Sequence, residues 1–125
     1  MRKLCYDDLM SLFGIQEDHL ENYLSLDQKL IKNKTATFFM RAQGDAMAPL
    51  IAARDILIVD RSLKAKSNQL IIANYNDQMF CRRFLKSTQG FILRAENSRF
   101  KDIYITNEDQ LDVFGVITSV VREFV

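Results

Sequence analysis

The fold is determined by two neighbouring segments, Gln43-Gly-Asp-Ala-Met-Ala-Pro49 and Asp55-Ile-Leu-Ile-Val-Asp60. Gly44 permits the positive φ that a sharp turn needs, and Pro49 fixes φ where the chain leaves that turn. The apolar run in the second segment predicts a buried strand. The pattern is typical of a turn that presents a nucleophile ahead of a strand. The residue presented here is Ala46, whose methyl group cannot attack a substrate.

Composition indicates one globular domain, and we expect no cofactor. The chain has 125 residues, of which 48% are hydrophobic and 26% are charged, and these are ordinary values for a domain with its own core. A net charge of +1 gives no basic face, so we expect no direct sequence-specific DNA binding. No membrane span or signal peptide is evident, which predicts a cytoplasmic protein without membrane contact. Cys5 and Cys81 lie far apart in the sequence, so no metal site or disulfide is expected.

Residues 35–125 have the pattern of a mostly-β domain. Short apolar runs alternate with turn signals, and no long helix intervenes. Asn76-Asp77 separates two β-rich runs and predicts a two-residue hairpin loop with positive φ. The predicted strands cover residues 37–43, 55–60, 69–75, 78–85, 91–95, 103–106 and 111–122.

Residues 1–34 are predicted to form an N-terminal arm that is extended or contains short helices. Apolar residues recur at helical spacing in two short stretches, 9–13 and 20–24. Ser25 and Gln28 match a capping box, which indicates that a helix begins there. Leu26, Leu30 and Ile31 would then face the body of the protein.

Gly44-Asp-Ala-Met-x-Pro49 and the strand after it resemble the active-site turn of the LexA/UmuD-type Ser-Lys autopeptidases. The resemblance continues through residues 78–84 and through Glu96-Asn-Ser98. It closes with residues 108–117, where the sequence is most similar to the UmuD type. It implies a compact, curved β-domain of the signal-peptidase-like type that LexA and UmuD share, which agrees with the strand pattern.

The resemblance also implies that both catalytic positions are substituted. In that family a serine in the turn attacks, and a lysine kept neutral by burial takes its proton. Ala46 matches the serine and Arg82 matches the lysine, and a guanidinium is not deprotonated in proteins. We therefore expect a vestigial dyad and no peptidase activity. The residues that the resemblance assigns to the shape of the turn are Gly44, Asp45, Met47 and Pro49.

Three further differences from the family lead to expectations. The family usually has a glycine where this chain has Arg54, which predicts a slightly shifted loop, because positive φ would strain an arginine. The UmuD-type arm is cut between a small residue and a glycine, and the nearest equivalent, Phe13-Gly14, has a side chain too bulky for that site. The helix-turn-helix domain of LexA and phage repressors is not expected, because too few residues precede the β-domain.

By implication from the resemblance, the chain is a catalytically inactive UmuD-like protein. It would form a homodimer that serves a Y-family translesion DNA polymerase in the SOS response, under the control of RecA filaments. Two alternatives stay open: a regulator that heterodimerises with an active LexA- or UmuD-like protein, and an autopeptidase inactivated by engineering at Ala46. The strand edge considered for dimerisation carries Phe114, Val116, Ile117 and Val120.

Overall fold

The computed structural model describes residues 25–125. Within them, one short helix, α1 (Leu26–Leu30), precedes seven strands, and a 3₁₀ turn (Glu108–Gln110) leads into the last strand. The strands are β1 (Thr37–Arg41), β2 (Ile56–Asp60), β3 (Leu70–Tyr75), β4 (Gln78–Ser87), β5 (Gly90–Arg94), β6 (Ile103–Ile105) and β7 (Leu111–Val121). No helix in this described part is long and apolar enough to cross a membrane.

The strands form one antiparallel sheet in the order β1-β2-β7-β3-β4-β5-β6. The last strand of the chain therefore lies in the middle of the sheet. Residues 111–116 of β7 pair with β3, and residues 116–121 pair with β2. A mostly-β fold is confirmed, and each of the seven predicted strands corresponds to one of the observed strands.

Both faces of the sheet are covered by apolar side chains. Ile71 and Ile72 are neighbours in β3 but belong to different core clusters, as do Val116 and Ile117 in β7, because successive strand residues point to opposite faces. The cluster on one face is formed by Ala65, Ile71, Ala73, Phe84, Leu93, Ile105 and Val116. The cluster on the other face is formed by Met47, Ile51, Leu57, Val59, Ile72 and Ile117. The second cluster includes a residue of the turn, Met47, so the turn is anchored in the core.

The hairpin between β3 and β4 has the predicted form. Tyr75 pairs with Gln78, and the two loop residues have positive φ, 51° at Asn76 and 62° at Asp77. Asparagine and aspartate tolerate this conformation better than most residues, so the loop holds the two strands in register. This prediction is confirmed.

Helix α1 only partly meets the expectation drawn from its sequence. The Gln28 amide donates a hydrogen bond to Ser25 Oγ over 3.2 Å, so the serine caps the helix as predicted. Leu30 and Ile31 are half-buried, and Leu26 lines the same hollow against Ile56 and Val121 but is 68% exposed, so it faces the sheet without being buried. A helix of five residues makes little more than one turn and therefore covers only a small part of the sheet.

The expected loop shift at Arg54 is also wrong. Arg54 has φ of 76°, the conformation that a glycine would adopt most easily. Two hydrogen bonds hold it there: its amide donates to the Ala42 carbonyl over 2.8 Å, and Arg41 Nη1 donates to its carbonyl over 3.0 Å. These contacts with the chain around β1 offset a strain of about 1–2 kcal/mol.

Candidate functional site

The turn between β1 and β2 is held by its own backbone. Gly44 has φ of 77°, as its sequence position predicts. The Ala48 amide donates to the Asp45 carbonyl over 3.1 Å, and the Ile51 amide donates to the Met47 carbonyl over 2.9 Å. Met47 is 4% exposed and packs in the second core cluster. The turn is therefore tight at Asp45–Ala48 and is fixed to the sheet by the buried side chain of Met47.

A second segment of the chain binds this turn from the outside. The Asn97 amide donates to the Ala46 carbonyl and its Nδ2 donates to the Asp45 carbonyl, both over 3.0 Å. Asn97 Oδ1 accepts a hydrogen bond from the Arg99 amide, also over 3.0 Å. The preceding residue, Glu96, forms an ion pair of 2.6 Å with Arg83 on β4. Asn97 thus connects the strand that carries Arg82 to the turn that carries Ala46. This segment belongs to the stretch that resembles the family, but no role for Asn97 follows from the sequence pattern.

Ala46 and Arg82 line the same cleft, although they are 36 residues apart in the chain. The cleft has a volume of about 260 Å³. It lies between the turn and the beginning of β4. Of the residues predicted to shape the turn, Gly44, Asp45 and Met47 line this cleft as well. Pro49 does not; it is exposed and follows a cis peptide bond. The other lining residues are Ala42, Gln43, Ile51, Met79, Phe80, Cys81 and Phe100.

Arg82 is held at the edge of β4 without a carboxylate partner in the described residues. Its Nη1 donates to the Cys81 carbonyl over 2.8 Å. Its guanidinium carbon lies 5.2 Å from the ring centre of Phe80 and 6.0 Å from that of Phe100. Its Nε is buried and has no hydrogen-bond partner among residues 25–125. Burial lowers the pKa of Arg82 from its ordinary value, but an arginine retains its charge at neutral pH.

The cleft offers few other reactive groups. Its described lining contains no hydroxyl group, no amine and no imidazole. Cys81 supplies a thiol, but burial raises its pKa to about 11, so the reactive thiolate is scarce at neutral pH. Asp45 supplies an exposed carboxylate. No cluster of His, Cys, Asp or Glu in the described part of the chain could hold a metal ion.

An ion pair closes the loop that follows the turn. Asp55, which directly precedes β2, is 2% exposed. It accepts hydrogen bonds from Arg122 Nε over 2.9 Å, from Arg122 Nη2 over 2.7 Å and from the Ala52 amide over 2.8 Å. The hydrogen bond from Arg122 is the main reason that the pKa of Asp55 lies below its usual value. This pair joins the loop to the residue after β7, and no local sequence pattern indicates it because the partners are 67 residues apart.

The strand considered for dimerisation lies inside the sheet rather than at its outer edge. Val116 and Ile117 are buried in the two cores, and Phe114 is half-buried with its ring against that of Phe38. Val120 is 37% exposed. Residues 117–121 pair with β2 on one side and have no strand partner on the other within the described residues. A backbone edge is therefore available there, but the side chains of Val116 and Ile117 are not. Phe13 and Gly14 lie outside the described residues.

Comparisons with known proteins agree with this architecture. The model of a family described as Peptidase S24-like matches residues 10–118. Similar curated proteins are the LexA repressors of Psychromonas ingrahamii, at 32% identity, Photorhabdus laumondii, at 29%, and Shewanella piezotolerans, at 28%. Each alignment covers 110 residues and 86% of this chain. The chain spans about half the length of these relatives, between 52% and 54%.

Proposed function

We infer that this chain, which belongs to the Peptidase S24-like family, is a member that has kept the scaffold and lost the peptidase reaction. We further propose that it acts as a UmuD-like protein: a dimeric accessory subunit of a Y-family translesion DNA polymerase in the SOS response. Its partners would be a second copy of the chain, the polymerase and, during regulation, RecA filaments.

One observation carries the first part of the proposal: Ala46 and Arg82 line one cleft. They are the positions that the resemblance matches to the nucleophile and the base of a Ser-Lys peptidase. A methyl group cannot attack a carbonyl, and a guanidinium cannot accept a proton. Either substitution alone would stop hydrolysis by this mechanism. A protein that keeps such a cleft but cannot hydrolyse a peptide bond would function by binding partner proteins.

The accessory role rests on the resemblance to UmuD-type proteins, which bind a polymerase as homodimers. The unpaired backbone edge of β7 at residues 117–121 supports dimerisation, because two such edges can pair around a twofold axis. Val120 lies on this segment and is partly exposed.

We expect Val120→Glu to weaken the dimer, as measured by light scattering. Leu63→Glu, which changes another exposed apolar residue, is the matched control and should leave the dimer intact.

The loss of the reaction is tested by restoring the dyad. Ala46→Ser, Arg82→Lys and the double variant would be incubated between pH 7 and pH 10, where a lysine begins to lose its proton. Mass spectrometry would follow the intact protein and a blocked peptide that contains an Ala-Gly bond. We expect no cleavage by either single variant. Cleavage by Ala46→Ser alone would refute the proposed loss, because Arg82 would then not be a barrier to the reaction.

The accessory role is tested by affinity purification of the tagged full chain from DNA-damaged cells of its source organism. A Y-family polymerase recovered with uncut bait would support it. A LexA- or UmuD-like protein recovered without a polymerase would favour a second function, a regulator that heterodimerises with an active relative. The free β7 edge supports that function equally, because it could pair with the corresponding strand of a homologue. A serine codon at position 46 of the natural gene would favour an autopeptidase inactivated by engineering.

A further inference from the structure

We propose that the cleft between Ala46 and Arg82 binds an extended segment of a partner protein and that Arg82 selects an acidic side chain in it. This inference rests on the proposed function in one respect, because a cleft without a nucleophile can hold such a segment without cutting it. It names the chemistry of the ligand: one carboxylate-bearing residue flanked by apolar ones.

The charge of Arg82 is unbalanced within the part of the chain that the structure describes. There its guanidinium is partly removed from water, its Nε has no partner, and its one hydrogen bond goes to a neutral carbonyl. Partly desolvated cations are usually paired with a carboxylate. The other arginine on this strand, Arg83, does have such a partner, at 2.6 Å in Glu96. Arg82 is therefore the group in the cleft that gains most from an anion.

A free strand edge lies at the same place. β4 pairs with β3 from Gln78 to Arg83, but its pairing with β5 begins only at Arg83. Residues 78–82 thus have no strand partner on the outer side within the described part of the chain. A free strand edge can accept an extended peptide as an additional strand through backbone hydrogen bonds.

The direction of the backbone groups can be derived from Phe84. Its amide and its carbonyl both bond to the chain before β3, at Gln69 and Asn68. Because the direction alternates along an antiparallel strand, the backbone groups of Cys81 and Met79 point to the free side. The Cys81 carbonyl accepts its hydrogen bond from Arg82 Nη1. The guanidinium therefore lies at the edge where a peptide would pair.

The wall of the cleft around Arg82 is apolar. Phe80 and Phe100 flank the guanidinium, and Met79 is 52% exposed beside them. A second hollow of about 370 Å³ continues from the cleft along the start of β4 and shares five of its lining residues. The result is an elongated groove lined by two arginines, Arg82 and Arg41, of which Arg41 already forms an ion pair of 3.2 Å with Glu123. Such a groove suits an acidic residue that binds at Arg82 between apolar neighbours.

Asp45 is the one carboxylate in the lining and would repel an acidic ligand. It is exposed to solvent, so water and salt screen its charge more than they screen that of Arg82. We expect Asp45→Asn to tighten binding of an acidic peptide.

The test is an NMR titration of the ¹⁵N-labelled full chain with two blocked peptides, Ac-Val-Ala-Asp-Ala-Val-NH2 and its Asn counterpart. We expect the Asp peptide to bind about tenfold more tightly, because a charge-assisted bidentate hydrogen bond is roughly twice as strong as a neutral one. The amide signals of Ala46, Met79 and Cys81 should move. The preference for Asp should disappear in Arg82→Gln and persist, although weaker, in Arg82→Lys. Arg94→Gln is the matched control, since Arg94 is exposed on β5, and it should bind like the unmodified chain.

Three results would overturn the proposal: equal affinity for the two peptides, an Asp preference that survives in Arg82→Gln, or sodium acetate that moves the same signals as strongly at the same concentration. The last result would indicate a site for small anions rather than for a peptide. Failure of the proposed function can be distinguished from failure of this proposal. Cleavage by Ala46→Ser, or the absence of a polymerase from the purification, would refute the proposed function but would leave the result of this titration unchanged.

Discussion

Replacing Asn97 with alanine should loosen the turn that carries Ala46. The substitution removes two side-chain hydrogen bonds, from Nδ2 to the Asp45 carbonyl and from the Arg99 amide to Oδ1, and keeps the backbone bond to Ala46. A typical hydrogen bond contributes about 0.5–1.5 kcal/mol net. Because Asn97 is half-buried and water replaces part of the loss, we expect the free energy of unfolding to fall by about 1–2 kcal/mol.

The assay combines urea unfolding with hydrogen exchange of the Ala48 amide, which bonds to the Asp45 carbonyl within the turn. A loss of about 1 kcal/mol in the turn corresponds to roughly fivefold faster exchange of this amide, since 1.4 kcal/mol is a factor of ten. Asn33→Ala is the matched control. Asn33 is also half-buried, and its side chain accepts two hydrogen bonds from Thr35, over 3.2 and 2.9 Å.

The two variants should lower stability by similar amounts but differ at the turn. Exchange of the Ala48 amide should become faster only in Asn97→Ala. An unchanged exchange rate in Asn97→Ala would refute the role of Asn97 as the residue that holds the turn. The same acceleration in both variants would indicate a general loss of stability instead.

Two further predictions concern the backbone and pH. Gly90→Ala should be severely destabilising in urea unfolding, because Gly90 has φ of 137° and a Cβ there would overlap the backbone of β6. Gly44→Ala should lower the free energy of unfolding by only about 1–2 kcal/mol, because Gly44 has φ of 77° and open space around it. Equal losses in the two variants would contradict this reasoning. The ion pair with Arg122 lowers the pKa of Asp55 in the folded state. The pair therefore contributes its full stability above the unfolded-state pKa of Asp55, which is near 4. This contribution is lost as the pH falls further, through the folded-state pKa. The difference in stability between the unmodified chain and Asp55→Asn should therefore be constant from pH 7 to about pH 5 and shrink below about pH 4, and a difference that grows on acidification would contradict the assignment.

The strands and the central hairpin could be predicted from the sequence because their signals are local. Apolar runs bounded by turn residues marked the strands, and Asn76-Asp77 was sufficient to predict the hairpin loop. The order of strands in the sheet could not be predicted, because the pairing of β7 with β2 and β3 joins residues that are 36–65 positions apart. Local patterns carry no information about such pairings.

The site was predictable to the extent that it depends on the turn. Gly44 and Ala46 were assigned to it from the sequence, and the structure places Ala46 in one cleft with Arg82. Arg54 was misjudged, because a conformation that is strained in isolation is held here by hydrogen bonds from Arg41 and to Ala42. Asn97 was overlooked, although an asparagine in a short turn between strands is a common partner for backbone carbonyls.

The central position of β7 has a consequence for how the chain folds during synthesis. The strands β1 and β2 form no backbone pairs with β3 to β6 until β7 lies between the two groups. The chain from Asp60 to Leu111 is made in roughly 3–10 s at about 5–20 residues per second. During that interval the edges of β2 and β3 are open to pairing with other chains. The sheet can therefore close only after residues 111–121 have left the ribosome, and the period of greatest risk of aggregation comes before that step.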